Sequence, residues 1–114
     1  MNPKIIPGRR GPESIIQRDL ILFLRHRGWF VKETHGNAFQ SGFPDLFAAH
    51  LSYGSRWIEC KNPISYVFTH AQLEMFPLMM AAGVGIWILT AATENEYRKL
   101  FKPANWFMYL DVMK

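Results

Sequence analysis

At 114 residues the chain has the length of one domain, and a composition that is 49% hydrophobic and 19% charged permits a packed core and argues against disorder. The net charge of +4 suits a polyanionic partner. The single cysteine, Cys60, excludes an internal disulfide, no apolar run is long enough to cross a membrane, and Met1 to Arg10 lacks the apolar core of a signal peptide, so a cytoplasmic protein is expected.

Residues 1–12 hold three prolines, two glycines, Lys4, Arg9 and Arg10, and read as a basic arm ahead of one domain over residues 13–114. A helix is predicted from Glu13 to Arg27. Its buried stripe is Ile16, Leu20, Phe23 and Leu24, headed by Glu13, with a weaker second face at Ile15, Leu22 and His26. Trp29 to Thr34 alternates as a strand, His35-Gly36-Asn37 is a turn, and Ala38 to Gly42 a loop. Pro44 to Leu51 and Arg56 to Lys61 form a hairpin closed by Ser52-Tyr53-Gly54-Ser55. Thr69 caps a helix running to Ala82 and closed by Gly83, with Pro77 expected to kink or shorten it. Val84 to Thr90 is apolar enough for a central strand covered on both sides. Thr93 and Glu96 form a capping box for a short helix to Phe101. Trp106 to Val112 reads as a last strand, at an edge. The order is αβββαβαβ: an α/β fold with a mixed sheet flanked by helices.

Alternation puts Glu59 and Lys61 on one face of their strand, together with Trp57. Folding the hairpin about Tyr53-Gly54 places Asp45 opposite residues 61 to 62, so Asp45 and Glu59 converge at its open end. Two converging carboxylates repel unless a cation lies between them. Mg²⁺ suits carboxylates, waters and a phosphate, and Mn²⁺ can substitute. The Cys60 carbonyl is a further oxygen donor. Lys61 can orient a water or stabilise charge on phosphorus. Gln72 heads a stripe continued by Phe76, Met79 and Met80, and points with Glu13 toward the same rim of the sheet.

Gly42-Phe43-Pro44-Asp45-Leu46, then Trp57-Ile58-Glu59-Cys60-Lys61, then Gln72 resembles the PD-(D/E)XK nuclease superfamily, and within it the small stand-alone VRR-NUC nucleases, with Holliday junction resolvases next. The resemblance runs from Glu13 to Ile88. It implies a restriction endonuclease-like core, Mg²⁺ held by Asp45 and Glu59, Lys61 assisting the attacking water, Gln72 beside it, and Glu13 as the first-helix acid, with Asp19 the alternative. The implied activity is Mg²⁺-dependent cleavage of DNA, preferentially branched, by a homodimer.

Plainer roles stand beside these. Gln72 completes a capping box with Thr69, Glu13 is a favourable charge in a first turn, and Glu59 and Lys61 suit an exposed pair. His26, His35, His50 and His70 lack zinc-ligand spacing. Arg9, Arg10, Arg18, Arg25 and Lys32 are candidate phosphate contacts. Ile15 and Leu22, with Trp106, Phe107 and Tyr109, are the surfaces offered for pairing two chains. The alternatives are a restriction-like or flap nuclease using the same site, and a non-catalytic DNA-binding module of the same fold.

Overall fold

The computed structural model describes residues 12–34 and 42–113. The proposed arm with Arg9 and Arg10, His35, and the turn and loop up to residue 41 lie outside the described residues.

Helix α1 spans Pro12–His26, and strand β1 spans Phe30–Glu33. Strands β2 (Leu46–His50) and β3 (Gly54–Cys60) form the hairpin. Helix α2 (His70–Ala81) leads to β4 (Ile86–Leu89). A short α3 (Glu94–Tyr97) runs on as a 3₁₀ turn over Arg98–Phe101. The four strands lie in the order β1-β2-β3-β4; the first three are antiparallel and β4 returns parallel to β3. The protein is thus α/β, with a mixed four-stranded sheet flanked by helices.

Strand alternation divides the apolar residues between two cores. On one face, Leu20, Ile21 and Leu24 of α1 pack on Val31, Leu46, Ala48, Ile58, Cys60 and Leu89. On the other, Phe76 of α2 joins Phe68, Trp106, Ile86 and Ile88. Each such aliphatic side chain contributes roughly 1.5–3 kcal/mol by leaving water. The α1 stripe is shifted from the predicted one. Ile21 is buried, whereas Phe23 is half-exposed beneath the Arg27 guanidinium, 3.6 Å from its ring centre.

Several expectations need correction. Trp106–Met113 is a 3₁₀ helix, not a strand. The reason lies at Asn105. Its side chain accepts from the Ile88 amide at 2.6 Å and donates to the Ile88 carbonyl at 3.3 Å, while its own amide reaches the Ile86 carbonyl at 3.3 Å. The outer edge of β4 is thereby satisfied by one side chain and one peptide, and a fifth strand has no ladder to join. β4 is therefore an edge strand, not a central one, although Ile86, Ile88 and Leu89 are fully buried. Trp106 turns inward against Phe68 and Phe76 and is 3% exposed, which removes it from any pairing surface. Tyr109 is half-buried against Tyr66, whereas Phe107, Met108, Ile15 and Leu22 remain exposed.

Pro77 neither ends α2 nor shortens it; the helix continues to Ala81 and gives way to Gly83 at φ +90°. Of the capping box at α3, one half is present. The Thr93 hydroxyl accepts from the Glu96 amide, but the Glu96 carboxylate accepts from the Thr90 amide and from Lys99.

Candidate functional site

The hairpin register decides where the carboxylates meet. Leu46 pairs with Ile58 and His50 with Gly54, so the turn lies earlier than expected, at residues 51–53. Asp45 therefore stands across from Glu59, not from residues 61 to 62. Beyond the last paired residues, side chains take over from the backbone ladder. The Asp45 amide donates to Glu59 Oε1 at 3.1 Å, and the Cys60 amide donates to Asp45 Oδ2 at 3.0 Å. Each acid thus accepts a peptide N–H from the opposite strand, which fixes both carboxylates at the open end of the hairpin. The Thr34 amide donates to the Asp45 carbonyl at 2.9 Å, and the Thr34 hydroxyl donates to the Pro44 carbonyl, tying β1 to the same point.

Lys61 follows directly after β3, and its amide extends the pairing to β4 by donating to the Leu89 carbonyl at 3.1 Å. The residue is 3% exposed; its ammonium donates to the Val67 carbonyl at 2.6 Å and to Gln72 Oε1 at 3.3 Å, and forms an ion pair with Glu59 Oε2 at 3.2 Å. The Phe68 ring lies 4.8 Å away.

Gln72 fills both roles open to it. It completes the Thr69 capping box, and its Oε1 accepts from the Thr69 amide at 3.0 Å. With Oε1 turned toward two donors, Thr69 and Lys61, the amide nitrogen is left facing Glu59, and Nε2 donates to Glu59 Oε2 at 2.7 Å. The cap thus orients the amide that orients the acid.

Glu13 comes to the same rim through α1. Its Oε2 accepts from the Asn62 amide at 3.2 Å, which holds the segment leaving Lys61. Asp19 lies further along α1 on its exposed side. Arg18, Arg25 and Lys32 are exposed, with Arg25 donating to the Val31 carbonyl at 3.0 Å.

Gly42 explains how α2 comes close enough. At φ +88°, an added Cβ would stand 2.7 Å from the Ala71 carbonyl oxygen, so the backbone before Asp45 touches the backbone of the first turn of α2. Gly42→Ala combines left-handed strain with a backbone clash. We expect a loss of about 2–4 kcal/mol, read as a fall in Tm of roughly 10 °C or more in thermal denaturation. An unchanged Tm would show that the two segments separate freely.

Electrostatically the site crowds acidic groups around the Lys61 ammonium. Burial, then the neighbouring Asp45 charge, push the Glu59 carboxyl up to about 8, against the pull of Lys61. Burial, followed by the charges of Asp45, Glu59 and Glu13, also raises the Cys60 thiol, so it is no nucleophile. Among the described residues, no three His, Cys, Asp or Glu side chains form a group able to hold a metal by themselves. Asp45 and Glu59 are nevertheless oxygen donors, and their two carboxyl groups meet at one point, a repulsion that a small divalent ion would relieve. Such a pair fits Mg²⁺, which keeps much of its water and takes only one or two protein carboxylates. Among the described residues no soft donor reaches the site, since the Cys60 side chain points into the α1 core.

No family model, curated protein or solved structure matches the chain. Among the described residues no helix is long and apolar enough to cross a membrane.

Proposed function

We propose that the chain is a Mg²⁺-dependent DNA endonuclease of the PD-(D/E)XK type, acting on branched DNA as a homodimer. The observation that carries this reading is the reciprocal clasp of Asp45 and Glu59 at the open end of the hairpin, with Lys61 3.2 Å from Glu59. Pro44-Asp45 leads into β2, and Glu59-Cys60 ends the adjacent β3 with Lys61 directly after it.

Asp45 and Glu59, with the Cys60 carbonyl, would hold the metal, which when bound would supply polarisation of a phosphodiester and acidification of a water. Lys61 is placed to orient an attacking water and to stabilise charge developing on the phosphate oxygens. Gln72 acts through its neighbours: it fixes the Glu59 carboxylate and shares the Lys61 ammonium. Glu13 holds the Asn62 peptide, and so the exit of β3, in place. Ile15, Leu22, Phe107 and Met108 are exposed apolar groups available for pairing two copies.

The test is cleavage of supercoiled plasmid and of a four-way junction, with and without metal. Mg²⁺ or Mn²⁺ should support cleavage and Ca²⁺ little, because its looser coordination orients water poorly. The junction should be cut faster than a linear duplex of the same sequences, and light scattering should give about twice the 13.3 kDa chain mass. Full activity after exhaustive chelation would overturn the metal-dependent reading. A monomer cutting both substrates equally would remove the branched-DNA preference and leave the nuclease.

A further inference from the structure

Among the described residues, the sheet face that carries the carboxylates is covered unevenly. α2 and Trp106 pack over β3 and β4, while on β1 and β2 Phe30 and Lys32 are exposed and Phe47 and Ala49 half-buried on that side. The strand register arranges this surface in rows. The first row is Thr34, Asp45 and Glu59, at the site. The next is Lys32, Phe47 and Trp57, and the one after is Phe30, Ala49 and Ser55. Val31 and Ala48, which alternate with these residues, are buried against α1, so Phe30, Lys32, Phe47 and Ala49 must face the other way.

Phe30 and Phe47 belong to neither core; Phe30, at the start of the edge strand β1, is 61% exposed, and Phe47 beside it on β2 is half-buried. Phe47 leans on Trp57, ring centres 5.1 Å apart, and Phe43 meets the same indole edge-on at 5.8 Å. Aromatic rings held on a rigid sheet, interleaved with a lysine and leading directly to a phosphodiester site, match what an unpaired nucleic-acid strand needs: flat faces for bases and a cation for phosphate.

We propose that this open face binds single-stranded DNA. Phe30 and Phe47 stack unpaired bases, Lys32 takes a phosphate, and the strand is led past Trp57 toward Asp45 and Glu59. The direction of travel rests on the nuclease reading; the stacking itself does not. Duplex DNA is a poor occupant, because its base faces are already stacked. A second copy of the chain is also a poor occupant, since a two-fold contact here would bury Lys32 in an apolar patch where lysine is disfavoured.

The experiment measures binding of fluorescein-labelled oligothymidine, and of a duplex of equal length, by anisotropy in excess chelator. Three proteins are compared: wild type, Phe30→Leu with Phe47→Leu, and Phe30→Tyr with Phe47→Tyr. Leucine keeps apolar bulk and the fold; tyrosine keeps the ring. The leucine pair should bind oligothymidine roughly tenfold or more weakly. The tyrosine pair should bind like wild type, and duplex binding should change little. Lys32→Ala should lower the salt dependence by about one released ion. No binding by wild type, equal binding by the leucine pair, or an equal loss on duplex would overturn the platform. So would a fall from two chains to one in the leucine pair by light scattering, which would make the face a contact between copies. Because no metal is present, the result is independent of cleavage. Intact stacking in a chain that never cuts DNA with Mg²⁺ would overturn the nuclease reading alone.

Discussion

Asp45→Asn is expected to abolish Mg²⁺-dependent cleavage while leaving the fold intact. The amide oxygen can still accept from the Cys60 amide, now held at 3.0 Å by Asp45 Oδ2, so the hairpin keeps its clasp. What is lost is the negative charge that a divalent cation requires. Removing even an outer partner of a metal ligand costs about 10- to 100-fold in affinity or activity, so loss of the ligand itself should exceed the upper end of that range. Glu59→Gln should behave alike, and Lys61→Ala should cripple the chemical step. Gln72→Ala should fall about 10- to 100-fold, as an outer partner does, through the Glu59 and Lys61 geometry it holds. The checks are initial cleavage rates with Mg²⁺, circular dichroism for the fold and gel-shift binding in chelator for DNA. Wild-type cleavage by Asp45→Asn would show that the site is misassigned.

The second large effect is on pH. Burial, and then the Asp45 charge, raise the Glu59 carboxyl from 4.5 to about 8. A group whose pKa is raised by folding contributes stability that is fully present below its unfolded pKa and is lost as pH rises through its folded one. The metal-free protein should therefore lose stability between about pH 4.5 and 8, by an amount on the order of a few kcal/mol. The comparison that isolates Glu59 is the Tm profile of wild type against Glu59→Gln, which should be flatter over that window. Mg²⁺ should reverse the trend. Its ligand must be ionised, so affinity should rise about tenfold per pH unit below 8 and level off above it, as calorimetric titration can measure. Parallel Tm profiles for the two proteins, or a Mg²⁺ affinity indifferent to pH, would show that Glu59 is neither the titrating group nor a ligand.

Much of the fold was legible in local patterns. The α1 helix, the hairpin strands and the Thr69 cap were read from periodicity and capping chemistry, which depend on residues a few positions apart. The convergence of Asp45 and Glu59 was readable for the same reason, because a hairpin has short-range geometry. Its register was not. The pattern predicts a turn at Tyr53-Gly54, yet the chain turns at residues 51–53; alternation alone is met equally by registers two residues apart.

Alternation, capping and charge belong to a residue and its near neighbours, and so are written in the chain itself. The remaining features depend on which segments meet in space. Whether Gln72 serves its cap or its neighbours turned on the approach of α2 across Gly42, and the answer was both. Trp106 to Val112 has the apolar content of a strand, yet it forms a 3₁₀ helix, because Asn105 had already occupied the free edge of β4. Trp106 then packs against Phe68 and Phe76 instead of facing another chain. A strand needs a partner's hydrogen-bonding edge, and no local pattern states whether that edge is free.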